Sequence, residues 1–318
     1  MNELVKREQF RRSKELFDKV GTIIEKYCRE NKLIIYGGLA MDKYLKNAGH
    51  VGIYDGFETI DYDVYSTNHV VDAEKLGKII HESDVPYVKI HSGMSPTTRK
   101  INIALLSTSV IDINHISPEE YMVLSPTVID GLYYIRTDAL FEDQIKNVVT
   151  NLFADSHRIP KIINRLKLLT KYFPIIPETF AKIDTTQYIS TEDLGKVSGI
   201  IAGDFAYNYY VSGETGGIPI LYSEEPAPEG WIFPYYVMEG ETIYEEVSGG
   251  LKLAPPALLL YFYFKMKITE NTSAYDTQIY TLMQYGFPFP NYKEVSIYLP
   301  KHDPIRPKYE NIATLWLA

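Results

Sequence analysis

Three aspartates and a pair of glycines are the residues of this 318-residue chain whose types and spacing could do chemistry. Asp61 and Asp63 stand two apart in IDYDVY, and residues i and i+2 of a strand face the same side. Two like charges side by side repel, and burial would raise the pKa of at least one. A divalent cation removes that penalty. Mg²⁺ favours one or two protein carboxylates, with substrate phosphates and water completing its shell. Ile60, Tyr62 and Val64 interleave with the acids, so the strand's other face should be buried. Asp112, in SVIDINHI, is flanked in the same way by Ile111 and Ile113. A D-x-D pair alone is as readily a solvated strand edge, and Asp112 alone a satisfied carboxylate at a sheet end. Three strand-borne aspartates downstream of a glycine pair are a stronger conjunction.

The glycines stand in LIIYGGLAMDKYL, between a short apolar strand and an amphipathic helix. A tight strand-to-helix turn explains Gly37. Gly38 suits a second purpose, because backbone N–H groups at a helix N-terminus bind anions and a side chain there would keep a phosphate away.

The elements that must position these residues follow from periodicity. Apolar residues at helical spacing predict a helix over 3–29. KLIIY is a short buried strand, LAMDKYLKNA a helix, TIDYDVYS an alternating strand and VDAEKLGKIIHESD a helix. KINIALL and SVIDINHI pair as a hairpin around residues 107–109, and Ser117 caps a helix beginning at Pro118. Residues 138–172 are helical with an interruption near 155–160, and FPIIPETF (173–180) is a linker.

Composition sets limits. With 45% hydrophobic and 23% charged residues the chain can bury a full core. The longest apolar stretch, LAPPALLLYFYF, is too short to cross a bilayer and carries two prolines, so no membrane role is expected. The N-terminus lacks the apolar core of a secretory signal, and its acids argue against a mitochondrial presequence. Cys28, the only cysteine, excludes an internal disulfide or a cysteine-built zinc site and fits a reducing, cytoplasmic setting. The net charge of −9 is uneven. Residues 157–171 carry five Lys/Arg and no acid, while 178–250 carry thirteen Asp/Glu and only Lys182 and Lys196. A polyanion would meet the first half. Arg158, Lys161 and Arg165 share one helical face and are candidates for a triphosphate or RNA-backbone contact, against the plainer reading of a solvated amphipathic helix. Arg99 and Lys100 are further candidates, and the histidines show no metal-ligand spacing.

IIYGGLAMDKYL, IDYDVYS and VIDINHI together resemble the nucleotidyltransferase superfamily of DNA polymerase β type. The twenty-two residues between Gly38 and Asp61 exceed the compact cellular spacing and resemble the poly(A) polymerase catalytic subunits of poxviruses, African swine fever virus and mimivirus relatives. TTRKINIALL and the helical segment after Asp112 are similar to the same group. The resemblance covers roughly residues 30–172 and implies an α+β fold with a mixed sheet. It implies template-independent addition of AMP from ATP to RNA 3′ ends, with two Mg²⁺ or Mn²⁺ ions. Asp61 and Asp63 would ligate both ions, and Asp112 the ion that activates the 3′-hydroxyl. Gly37 and Gly38 would hold the β- and γ-phosphates, and Ser66 would contact a phosphate or sugar unless it is a strand-end hydroxyl. A homodimer or a processivity subunit, and a host-cytoplasm or virion location, are implied by the resemblance alone. A CCA-adding or nucleotidylating enzyme, or an inactive scaffold, is the alternative.

GIIAGDFAYNYYV (199–211) can be laid over residues 33–45 with five identities in thirteen. Gly38 then corresponds to Asp204, which would repel a phosphate, and no D-x-D strand follows. The expected organisation is an N-terminal helix (1–30), a catalytic domain with trailing helices (31–173) and a degenerate, non-catalytic nucleotidyltransferase-like domain (174–318) built around a buried helix at 254–268.

Overall fold

The structure, a computed structural model, describes residues 3–54, 60–93, 95–106, 108–149, 159–238, 242–284, 296–298 and 315–317. It divides into two compact units, Met1–Leu140 with Pro307–Ala318, and Phe141–Arg306. The expected boundary at 173/174 thus falls inside the second unit.

The first unit opens with α1 (Glu3–Asn31), β1 (Ile34–Tyr36), α2 (Gly37–Asn47), β2 (Tyr62–Ser66) and α3 (His69–Glu82). There follow β3 (Val88–Ser92), β4 (Thr98–Ile103), β5 (Thr108–His115), α4 (Pro118–Leu124), β6 (Thr127–Ile129) and β7 (Leu132–Tyr134). The helix α5 (Thr137–Val149) runs across the division. The second unit holds α6 (Ile159–Tyr172), α7 (Thr191–Gly195), β8 (Ile200–Ala202), α8 (Gly203–Val211), β9 (Pro219–Ser223) and β10 (Tyr235–Val237). It continues with β11 (Thr242–Val247), β12 (Leu251–Leu253), α9 (Pro256–Glu270), α10 (Asp276–Gln284) and β13 (Ser296–Tyr298). The last strand, β14 (Leu315–Leu317), pairs with β3.

The first sheet has the order β14-β3-β4-β5-β2-β1-β7-β6 and mixes parallel with antiparallel pairs. Alternation decides its faces. Tyr62, Val64 and Ser66 of β2 are buried, with Ile111 and Ile113 of β5 and Ile101 and Ile103 of β4. α1 and α3 cover this face. Val20, Ile24, Tyr27 and Cys28 of α1, and Ala73, Leu76 and Ile80 of α3, fall at helical spacing and are buried. Gly77 lets α3 lie close, since a Cβ there would come within 2.5 Å of Ile90 Cδ1. Burial pushes the Cys28 thiol up to about 12, which leaves it an apolar core group rather than a nucleophile. Ser117 and Glu120 form a capping box around Pro118 at the start of α4, as the sequence predicts.

Three strands between β2 and α5 escaped the sequence reading. β3 carries Lys89 and His91 among its apolar residues, and β6 and β7 are three residues each, too short for periodicity to register. Their signal was the Asp130-Gly131 turn, where φ is 51° and 75°. Among the described residues, no helix is long and apolar enough to cross a membrane.

The second sheet repeats the first. Its order is β10-β9-β8-β12-β11-β13. β9 is antiparallel to β8 as β2 is to β1, β10 parallel to β9 as β5 is to β2, β12 parallel to β8 as β7 is to β1, and β11 antiparallel to β12 as β6 is to β7. The turn recurs as well: Gly37 has φ 65° and Gly203 φ 73°. Tyr36 pairs with Asp63, whereas its counterpart Ala202 pairs with Ile220. Continuing these registers sets Ile218 at the place of Asp61 and Pro234 at that of Asp112. The second unit therefore keeps the fold and lacks all three carboxylates. Asp204, replacing Gly38, accepts hydrogen bonds from Tyr263 Oη (3.1 Å) and Gln278 Nε2 (3.2 Å), while burial holds its carboxyl above the usual range.

A Cβ at Gly203 would approach Ile218 O to 2.7 Å at a positive φ. Gly203→Ala should cost about 1–3 kcal/mol from the left-handed backbone alone, measured as an earlier urea transition in tryptophan fluorescence, with Trp231 reporting from the same unit.

Candidate active site

The face of the first sheet opposite α1 and α3 carries the candidate residues. Asp63 of β2 and Asp112 of β5 are directly opposite each other on neighbouring parallel strands. Tyr36 of β1 lies opposite Asp63 on the far side, and Lys100 of β4 lies opposite Asp112. One row therefore crosses four strands as Tyr36, Asp63, Asp112 and Lys100. Asp61 precedes β2 by one residue and is exposed.

Gly37 forms the turn at the head of α2, and a Cβ there would meet Asp63 Oδ2 at 2.8 Å. Its role is thus double: it supplies the positive φ and makes room for the Asp63 carboxylate. Gly38 follows it, buried in the first turn. The N-cap residue Tyr36 offers no side-chain cap, and the first turn contains no acid, so the helix dipole there favours an anion.

Asp112 is held on both oxygens. Lys100 Nζ pairs with Oδ2, and Ser109 Oγ donates to Oδ1 at 2.7 Å. Ser109 is three residues from Asp112 and would ordinarily face the other way. A register shift, with Ile101 opposite Ile111 but Asn102 opposite Ser109, leaves Val110 unpaired and turns Ser109 onto the Asp112 side. Sequence reasoning had no signal for this bulge. It also missed Asn114, which shares the face by the i+2 rule. Asn114 Nδ2 donates to Tyr36 Oη at 2.7 Å, and its Oδ1 accepts from Thr98 Oγ1. Tyr36 in turn stacks on Tyr65, ring centroids 4.1 Å apart.

Several expectations need correction. Among the described residues no three His, Cys, Asp or Glu side chains stand together as a metal-binding group. Asp63 and Asp112 share a row, Asp61 lies just outside the strand, and Asp112 is engaged by Lys100 and Ser109. Lys100 is engaged by the Asp112 carboxylate. Ser66 is 1% exposed and three residues from Asp63, hence on the α3 side. It donates to Asp72 Oδ2 and accepts from the Asn68 amide, so it is not a sugar or phosphate contact. Arg99 donates to Ser92 Oγ. Lys161 and Arg165 lie on α6 in the second unit, beside the buried stripe Ile162, Leu166 and Leu169, and Arg158 lies outside the described residues.

The donor set nevertheless fits a hard divalent cation. Carboxylates in register on adjacent strands, with a glycine cradle at one of them, are what such an ion would meet.

A mixed sheet with a glycine turn leading into a helix, followed by aspartates on neighbouring strands, defines a nucleotidyltransferase-type fold. Residues 22–154 match the sequence family described as poly(A) polymerase catalytic subunit. Proteins named as poly(A) polymerase catalytic subunits are similar in Acanthamoeba polyphaga mimivirus (26% identity, 59% of this chain and 34% of that one) and African swine fever virus (26%, 48% and 33%). The crystal structure of the Megavirus polyadenylate synthase superposes with a TM-score of 0.71 at 18% identity, over 89% of this chain and 72% of that one, a likeness of fold. The chain spans about a third of the length of the curated relatives it matches.

Ser66→Ala should leave nucleotide binding unchanged. It should lower stability by about 1.5–3 kcal/mol, the worth of a hydrogen bond to a charged group, read from urea denaturation beside an ATP-binding titration.

Proposed function

We propose that this chain is a template-independent poly(A) polymerase that adds AMP from ATP to RNA 3′ ends. The observation that carries the reading is the register of Asp63 against Asp112 beside the Gly37 turn. The sequence family matched by residues 22–154 supports it.

Asp61, Asp63 and Asp112 would hold two Mg²⁺ or Mn²⁺ ions, which when bound lower the pKa of the attacking hydroxyl and neutralise charge on the phosphates. The chain's own groups do the rest. The amides at Gly37 and Gly38 draw the β- and γ-phosphates to the head of α2. Gly37 keeps Asp63 close to that turn. Asn114 and Thr98 fix the phenol of Tyr36 at the edge of the row, and the Tyr36–Tyr65 stack offers an aromatic surface for a base. Lys161, Arg165 and Arg158 are proposed as RNA-backbone or triphosphate contacts. A second copy or a processivity subunit as partner, and work in the host cytoplasm or virion, belong to the same proposal; the relatives' description as catalytic subunits supports a partner.

The test is incubation of a labelled oligo(A) primer with each nucleoside triphosphate and Mg²⁺ or Mn²⁺. Extension with ATP alone is expected. Extension with CTP and ATP at tRNA-like ends would favour a CCA-adding enzyme, and no extension by folded protein would favour a scaffold. Asp63→Ala should reduce extension by at least about a hundredfold, on the scale of removing one charge-stabilising group from an active site, with the circular dichroism spectrum unchanged.

A further inference from the structure

We propose that Lys100 is the resident counter-ion of the third carboxylate, occupying on Asp112 the place that a divalent cation takes when the site is loaded. This rests on the metal-dependent reading above and adds to it an exchange between two cations.

The pairing is built into the sheet. Lys100 and Asp112 face each other across the antiparallel β4–β5 pair, with the ammonium on Oδ2. The Val110 bulge brings Ser109 onto Oδ1, so both oxygens are satisfied without a metal. The side chains of Lys100 and Asp112 are only 30% and 15% exposed, so solvent screens the pair less than it would a surface bridge. Asp63 stands in the same row, one strand beyond Asp112, so the pair lies beside a second carboxylate. A structural ion pair elsewhere in the sheet would have no such neighbour.

The residue type suits a displaceable partner. Lysine is a point charge on a flexible four-carbon stem, whereas a guanidinium would lock a carboxylate bidentately. A divalent cation arriving at Asp112 competes for Oδ2, and Lys100 leaves it still protonated. No bond is made or broken beyond coordination and hydrogen bonds. The freed ammonium remains on the site face, where an incoming triphosphate offers it a new anion. Metal and nucleotide binding are then coupled through one side chain: the metal alone must evict Lys100, and the nucleotide gives Lys100 somewhere to go.

Mn²⁺ binding to the full chain, followed by electron paramagnetic resonance without nucleotide, tests this directly. Lys100→Met should bind Mn²⁺ at least about fivefold more tightly than the unsubstituted protein, the lower end of ordinary coupling between ligands. Lys100→Arg, which keeps a cation opposite Asp112, should bind no more tightly. In a chelator Lys100→Met should melt below the unsubstituted protein, and Mn²⁺ should close most of that gap. Lys100→Gln replaces it if the methionine variant does not fold. Equal or weaker Mn²⁺ binding by both neutral variants would overturn the exchange while leaving the metal site in place. Absence of binding by every protein, or binding that survives Asp63→Ala unchanged, would overturn the metal reading and the exchange with it.

Discussion

Burial of the apolar sheet face under α1 and α3 is the constraint on which the first unit depends, and it brings Asp63 and Asp112 together on the opposite face. Neighbouring strands are about 5 Å apart, and two unpaired carboxylates at that separation would repel by ~3 kcal/mol at an effective dielectric of about 20. The apolar faces of β2 and β5, packed under α1 and α3, force the acids onto the same side, because a one-residue slip would bury them and expose Val64, Ile111 and Ile113. Burial of the core thus holds the charges together against their own repulsion. Lys100, Ser109 and the open turn at Gly37 are the local answers to that tension, and a bound cation would be another.

The buried polar groups behind the sheet serve the same geometry. Ser66, at the end of β2, is tied to Asp72 on α3, and Tyr27 on α1 donates to the other oxygen of Asp72 at 2.7 Å. This links both covering helices to the strand that carries Asp63. On α2, Asp42 accepts from the Tyr54 amide at 3.1 Å and pairs with Lys46, tethering the start of the long segment between the glycines and the aspartates. A Cβ at Gly52 would lie 2.1 Å from Asp42 Oδ1, so that tether also depends on a glycine.

The second unit shows what the fold does without the charges. Ile218, Ile220 and Pro234 occupy the three carboxylate positions, and Asp204 stands where a phosphate would enter. Ile220 has joined the core, and Asp204 is bound to Tyr263 and Gln278. The same strand order and positive-φ glycine persist. Topology is therefore maintained by hydrophobic packing, and the acids of the first unit are an addition to it.

Much of this was legible in the residues. Alternation placed Asp63 and Asp112 on strands with buried opposite faces, helical spacing located α1, α3 and α9, and the short match between 33–45 and 199–211 disclosed the repeat. These are properties of a few consecutive residues, set by side-chain period and by the freedom of glycine. What only the tertiary structure decided was neighbourhood. That β2 lies beside β5, that Lys100 faces Asp112, that Val110 bulges to aim Ser109 and that Ser66 turns away toward Asp72 all depend on hydrogen-bond registers between distant segments. A local period predicts which face a residue takes, but a single bulge reverses it, and no period says which strand will be next.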